Sequence, residues 1–274
     1  MFPSTFDYVR ATSVDDAISI MASTEDAKLL AGGHSLLPLM KLRLSSPSTL
    51  VDIGRLSELS FVEDRGDHVA IGALTRHRDV ECSAVLASSV PLLCHVASLV
   101  GDPAVRHRGT IGGSVAHGDG ASDLPAAVLA LDASFVVRGP GGERVIEARD
   151  FFKGFLETAL TDGEVLTEIR VPKIHGGWSY QKFNRRAQDW AIVGVAAVQN
   201  GSTKISLVNM GSMPLRATAS EEAINGGGSI AQAASLASDG IEPPSDLNAS
   251  ADYRRHLASV LVRRALEEAS TKRN

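Results

Sequence analysis

The 274 residues are 44% apolar and 22% charged, which excludes a disordered chain and fits a folded protein of one large or two modest domains. A formal charge of −5 excludes a general nucleic-acid binder, which needs a basic face. No apolar run approaches the ~20 residues of a membrane helix. Residues 1–6 show neither a basic nor an apolar leader segment, so cytoplasmic residence is expected.

Ser13, followed by Asp15 and Asp16, predicts a capped helix running to about residue 21. A short buried strand is expected over 27–30, a helix from Ser35, and a second strand over 50–53. Residues 61–71 read as a hairpin, polar at the tip and apolar in both arms. Helices are predicted over 78–87, 92–100 and 124–131, and a hairpin joins 135–137 to 144–146 across Gly139-Pro140-Gly141-Gly142. Pro and paired Gly over 172–177 mark a boundary. Strands follow over 180–184, 193–199 and 205–209, then helices over 230–238 and 252–269. The expected class is α+β.

Two glycine-rich turns stand out: Ala31-Gly32-Gly33-His34-Ser35 and Thr110-Ile111-Gly112-Gly113-Ser114. Each follows an apolar stretch and joins a Gly pair to a small hydroxyl. Glycine admits positive φ, so successive backbone N–H groups can converge on an anion, with the hydroxyl as a further donor. One such turn suits a mononucleotide; two suggest walls on either side of a pyrophosphate, and hence a dinucleotide. Neither is a P-loop or a Rossmann fingerprint. At His34 the backbone N–H matters more than the imidazole.

Cys82 and Cys94 are the only cysteines and are read as buried, reduced thiols; a four-thiolate iron–sulfur cluster cannot form on this chain alone. His77, His95 and His107 lack metal-ligand spacing and are read as structural. No nucleophile elbow, zincin motif or acid–base pair is present. Asp123, at a predicted helix start, reads either as a cap or as a ligand contact.

The two turns lie within longer motifs. The first continues through Leu36-Leu37-Pro38-Leu39-Met40-Lys41-Leu42-Arg43-Leu44 to Asp52-Ile53-Gly54. The second sits between Val100-Gly101-Asp102-Pro103 and Ala116-His117-Gly118-Asp119, followed by Ser122-Asp123-Leu124-Pro125-Ala126. With Phe6-Asp7-Tyr8, Leu156-Glu157-Thr158-Ala159, residues 163–169 and Tyr253-Arg254-Arg255-His256-Leu257, these resemble the flavoprotein medium subunit of the molybdenum hydroxylases. That group contains aerobic carbon monoxide dehydrogenase and xanthine dehydrogenase, and the likeness leans to the former and spans essentially the whole chain.

The resemblance implies a vanillyl-alcohol-oxidase-type FAD-binding domain over 1–174, in lobes of about 1–55 and 56–174, and a small C-terminal domain over 175–274. It implies FAD held by Ala31, Gly32, Gly33, His34, Ser35, Thr110, Ile111, Gly112, Gly113 and Ser114. Val100, Gly101 and Asp123 would lie near the adenine and sugar half, Leu166 over the flavin ring, and Lys182 and Trp190 as contacts from the C-terminal domain. Trp190 stands where these enzymes usually carry Tyr; packing in the core is its other reading. Asp119-Gly120 replaces the usual Asp-Pro, which would loosen that loop, and the altered run 211–217 is read as structural. Molybdopterin and two-iron two-sulfur clusters are implied on a large and a small partner chain, in a dimer of heterotrimers. A self-contained flavin oxidase and a flavin-free scaffold are the alternatives.

Overall fold

The computed structural model describes residues 2–272. The first lobe contains β1 (Asp7–Arg10), α1 (Val14–Ser23), β2 (Ala27–Leu30), α2 (Leu36–Lys41) and β3 (Thr49–Asp52). The three strands are parallel in the order β1-β3-β2. Ser13 caps α1, accepting from the Asp16 N–H at 3.0 Å, and Val14, Ala17 and Ile18 of that helix are buried with Val51 and Ile53. The parallel order places all three carboxyl ends, and the loop after β2, along one edge.

The second lobe begins with the hairpin β4 (Val62–Asp64) and β5 (His68–Gly72). A helical run follows: α3 (His77–Cys82), α4 (Ala84–Ser89), α5 (Pro91–Ser98), α6 (Pro103–Arg106), α7 (Ile111–His117) and α8 (Asp123–Ala130). The hairpin β6 (Ser134–Gly139) and β7 (Gly142–Glu147), the turn α9 (Ala148–Phe151), the small ribbon β8 (Phe152–Gly154) and β9 (Glu157–Thr158), and β10 (Val165–Pro172) complete it. Strand β10 is the centre of an antiparallel sheet ordered β4-β5-β10-β6-β7. The main core lies between this sheet and the helices, and includes Ile71, Leu92, Leu93, Ile111, Leu124, Phe135 and Ile169. Every residue of α8 is buried, as expected of a helix apolar on nearly all sides.

The helix expected over 78–87 is two helices. Ser83 ends α3 and caps α4, its hydroxyl accepting from the Leu86 N–H at 3.3 Å. Of the cysteines expected to be buried, Cys82 is exposed; Cys94 is half-buried, and burial pushes its thiol up to about 11.

The last part is an antiparallel sheet of β11 (Trp178–Phe183), β12 (Val193–Asn200), β13 (Ser202–Val208) and β14 (Leu215–Arg216), then α10 (Thr218–Asn225), α11 (Ile230–Ser235) and α12 (Ala251–Thr271). Helix α12 covers one face of this sheet, and α5 and α8 of the second lobe meet the other. Among the described residues no helix is long and apolar enough to cross a membrane.

Candidate functional site

Strand β2 delivers the first glycine turn to the carboxyl edge of the parallel sheet, with Ile53 donating to the Leu30 carbonyl at 3.0 Å. Gly33 sits at φ +75°, in the left-handed region. The turn closes by Leu37 N–H donating to the Gly33 carbonyl at 3.1 Å. The N–H groups of Gly32, Gly33, His34 and Ser35 donate to nothing among the described residues, and the Ser35 hydroxyl makes no cap bond. The His34 ring folds back to the Gly32 carbonyl, Nδ1 at 3.1 Å, leaving the backbone exposed. This is an open anion cradle.

The second turn is built differently. Thr110 caps α7, its hydroxyl accepting from the Gly113 N–H at 3.1 Å. Ile111 N–H donates to Thr75, Gly112 to Ala73 and Ser114 to Thr110. The sequence motif suggested free amides here; all four are committed inside the chain. Gly112 is required for packing instead, because a Cβ would stand 2.5 Å from Ala73. Gly113 faces Thr110 and Ala31, so the two turns meet at that point. Gly32 has the same need, since its Cβ would fall 2.4 Å from the Arg108 carbonyl oxygen. What the second turn offers a ligand is the Ser114 hydroxyl and a wall fixed against the first turn.

Behind that wall lies His77, 5% exposed, with Nδ1 unpartnered and its ring against Gly109. Burial, helped by the basic groups around it, lowers its pKa to about 4.

Asp123 does not cap its helix: Ser122 holds the cap position, and the Asp123 carboxylate turns inward. It accepts from Tyr180 OH at 2.5 Å and from Lys182 Nζ at 2.8 Å; Lys182 also donates to the Leu99 carbonyl at 2.9 Å. Both ionic side chains are over nine-tenths buried. Burial raises the pKa of Asp123 against the opposing pull of Lys182, and pushes that of Tyr180 well above its usual value. The structure thus unites Asp123 and Lys182, and adds Tyr180, which the sequence revealed only as the start of a strand. Val100 and Gly101 follow Leu99, and their carbonyls accept from Arg106 Nη1 at 3.2 and 3.4 Å.

Leu166 is 5% exposed and sits in the main core beside a bulge in β10. Trp190 is 58% exposed, which rules out the core-packing reading; it lines a separate cleft of about 210 Å³ with Arg185, Arg186 and Asn209. Gly120 does not loosen its loop. It is buried, and a Cβ there would press on Gly211 and Met213 backbone at 2.8–2.9 Å, so it packs against the altered 211–217 run. A cleft of about 270 Å³ opens beside the first turn, lined by Gly32, Gly33 and four arginines that sequence reasoning passed over: Arg10, Arg55, Arg76 and Arg108.

Residues 4–174 match the FAD binding domain in molybdopterin dehydrogenase, and residues 178–269 match the CO dehydrogenase flavoprotein C-terminal domain. The chain belongs to this flavoprotein family. It is 41% identical to the carbon monoxide dehydrogenase medium chain of Hydrogenophaga pseudoflava, covering 98% of each chain. It is 38% identical to the glyceraldehyde dehydrogenase medium chain of Sulfolobus acidocaldarius, covering 98% of this chain and 99% of that one. A solved structure of the Hydrogenophaga pseudoflava carbon monoxide dehydrogenase superposes with a TM-score of 0.96 at 42% identity over 100% of both chains. The family's two-domain α+β architecture, its FAD and its oxidoreductase class therefore apply here. The residues present fit FAD: four free N–H groups beside a positive-φ glycine and an arginine-lined cleft are what a pyrophosphate requires.

Proposed function

We propose that this chain is the electron-relay subunit of a three-part molybdenum hydroxylase, working in the cytoplasm within a dimer of heterotrimers. A large partner chain would oxidise substrate at molybdopterin, and a small one would carry two-iron two-sulfur clusters. This chain passes the electrons on to an external acceptor. Its two cysteines, on different helical segments, supply too few thiolates for a cluster of its own, which supports that division of labour. We divide it into an FAD-binding domain over 1–174 and a C-terminal domain over 175–274.

When bound, FAD supplies redox chemistry that no side chain can, exchanging electrons singly or in pairs. The protein binds and orients it. Gly32, Gly33, His34 and Ser35 would donate backbone N–H groups to phosphate, with Ser35 and Ser114 hydroxyls beside them and Ala31, Thr110, Ile111, Gly112 and Gly113 holding the two turns in register. Asp123 and Lys182, locked together, would fix the edge nearest Val100 and Gly101. Leu166 would give an apolar neighbour to the ring system. Trp190 offers an exposed aromatic face that stacks but lacks a phenol. The relatives' names cover carbon monoxide and glyceraldehyde, so substrate choice is assigned to the large partner.

The observation that carries this reading is the set of four unpartnered N–H groups at a positive-φ glycine. The test is stopped-flow absorbance of the FAD-loaded chain mixed with its prereduced iron–sulfur partner. Bleaching of the visible flavin bands, at a rate set by partner concentration, is expected. Flavin that stays oxidised while the clusters stay reduced would overturn it.

A further inference from the structure

Arg254, near the start of α12, is a cation with no exposed surface. Burying a guanidinium is costly, and an apolar side chain of similar volume commonly fills a core as well or better. What this one does is hold three separate stretches of chain. Its Nη1 donates to the Ile192 carbonyl and, at 3.2 Å, to the Asn209 carbonyl. Its Nη2 donates to the Asp246 carboxylate at 2.7 Å. Asp246 in turn gathers its own loop, accepting from the Asn248 N–H at 2.8 Å and the Ala249 N–H at 3.0 Å.

Those three stretches are walls of the cleft that carries Trp190, whose lining includes Ala191, Ile192, Asn209 and Asn248. Asn209 adds a second tie. It sits at φ +60°, in the left-handed region that asparagine tolerates better than most side chains, and its Nδ2 donates to the Ala191 carbonyl at 2.7 Å. Its N–H donates to the Gly120 carbonyl at 2.7 Å, which registers the assembly on the loop after α7. Trp190 itself is exposed, in the segment 184–192 that joins β11 to β12. Bonds near the tip of that segment are local, such as Asp189 N–H to the Arg186 carbonyl at 3.0 Å. The direction of the indole is therefore set from its base, at Ala191 and Ile192, by Asn209 and Arg254.

We infer that Arg254 is a positioning residue, which together with Asn209 fixes the Trp190 face in one orientation toward the flavin ring. The flavin end of this inference rests on the proposed stacking role of Trp190. A planar fork holds two carbonyls and a carboxylate at once, where an ammonium of equal charge offers a single point. R254K thus keeps the charge and loses the fork. N209G keeps access to the left-handed backbone and loses the amide, while leaving the buried ion pair intact.

The test is fluorine NMR of the full chain labelled with fluorotryptophan, flavin-free and FAD-loaded. The two tryptophans give two resonances, which W190F assigns. Trp178 is the internal control: it opens β11, and Lys272 Nζ at the end of α12 lies 4.1 Å from its ring centroid, so general loosening of sheet and helix would move it too. Expected is one sharp Trp190 resonance in wild type, displaced or doubled in R254K and displaced less in N209G, with Trp178 unmoved in both. FAD should shift the Trp190 resonance of wild type, and R254K should lose that shift while still retaining FAD. A Trp190 resonance unchanged in both variants would overturn the inference, as would a Trp178 resonance that moves as much as that of Trp190. Should R254K fail to fold, N209G alone decides on the same criteria. Failure of the stacking reading looks different: the wild-type Trp190 resonance would ignore FAD while the variants still displaced it, which sustains the anchoring by Arg254 and overturns its service to the flavin.

Discussion

At the residue scale, glycine serves two purposes that one motif does not distinguish. Gly33 needs its left-handed backbone, at φ +75°, and a Cβ there would meet Leu37 at 2.8 Å. Gly33→Val should therefore cost about 1–3 kcal/mol through strain and weaken flavin retention, read from the melting midpoint and the visible spectrum. Gly32→Ala would press a methyl 2.4 Å from backbone oxygen, so it should separate the turns and lower stability without any conformational penalty in φ. His77 gives a pH signature. With a folded pKa of about 4 against 6.5 unfolded, protonation favours the unfolded chain. The His77 contribution is fully present well above pH 6.5 and diminishes by about 3 kcal/mol on acidification to pH 4. Denaturant melts of wild type and His77→Gln should diverge across that window; parallel curves would contradict it. The glycine pairs were legible in the sequence because they mark close backbone approach. Whether their amides were free was not, since that depends on Ala73 and Thr75, brought in from the end of β5.

At the element scale, α7 is held against the segment after β5 by a glycine. Gly112→Ala should destabilise the protein by about 1–3 kcal/mol through overpacking, because Ala73 crowds it with both Cβ and carbonyl oxygen. Calorimetry checks this, and a melting temperature equal to wild type would refute the packing role. The capped helix at Ser13, the strand at 27–30 and the hairpin at 61–71 were readable from local signals, since cap, alternation and turn lie within each segment. Strand β10, the middle of its sheet, is not legible in the sequence although its residues alternate in burial along much of its length. Its neighbours β5 and β6 are remote in sequence, and only pairing reveals its central place. The helix break at Ser83 was hidden for another reason: one serine ends one helix and caps the next, without a Gly or Pro to mark it.

At the scale of the whole molecule, one buried cluster ties the final sheet to the second lobe. Asp123 on α8 meets Tyr180 and Lys182 on β11, and Lys182 also reaches the carbonyl of Leu99. Removing one partner strands a buried charge, so Lys182→Met should cost about 3–5 kcal/mol. The double variant D123N/K182M should recover much of that loss, which a double-mutant cycle would show as strong coupling; additive losses would contradict it. The family resemblance linked Asp123 and Lys182 to the same cofactor, but their direct bond was invisible to spacing because 59 positions separate them.

The proposed grip of the first glycine turn on FAD phosphate is open to direct test. The most direct measurement is flavin content, by visible absorbance after adding FAD to the purified full chain and desalting, for wild type beside Gly33→Val, with circular dichroism confirming that both are folded. Near-stoichiometric flavin on wild type and little on the folded variant is expected. Equal flavin on both would contradict it.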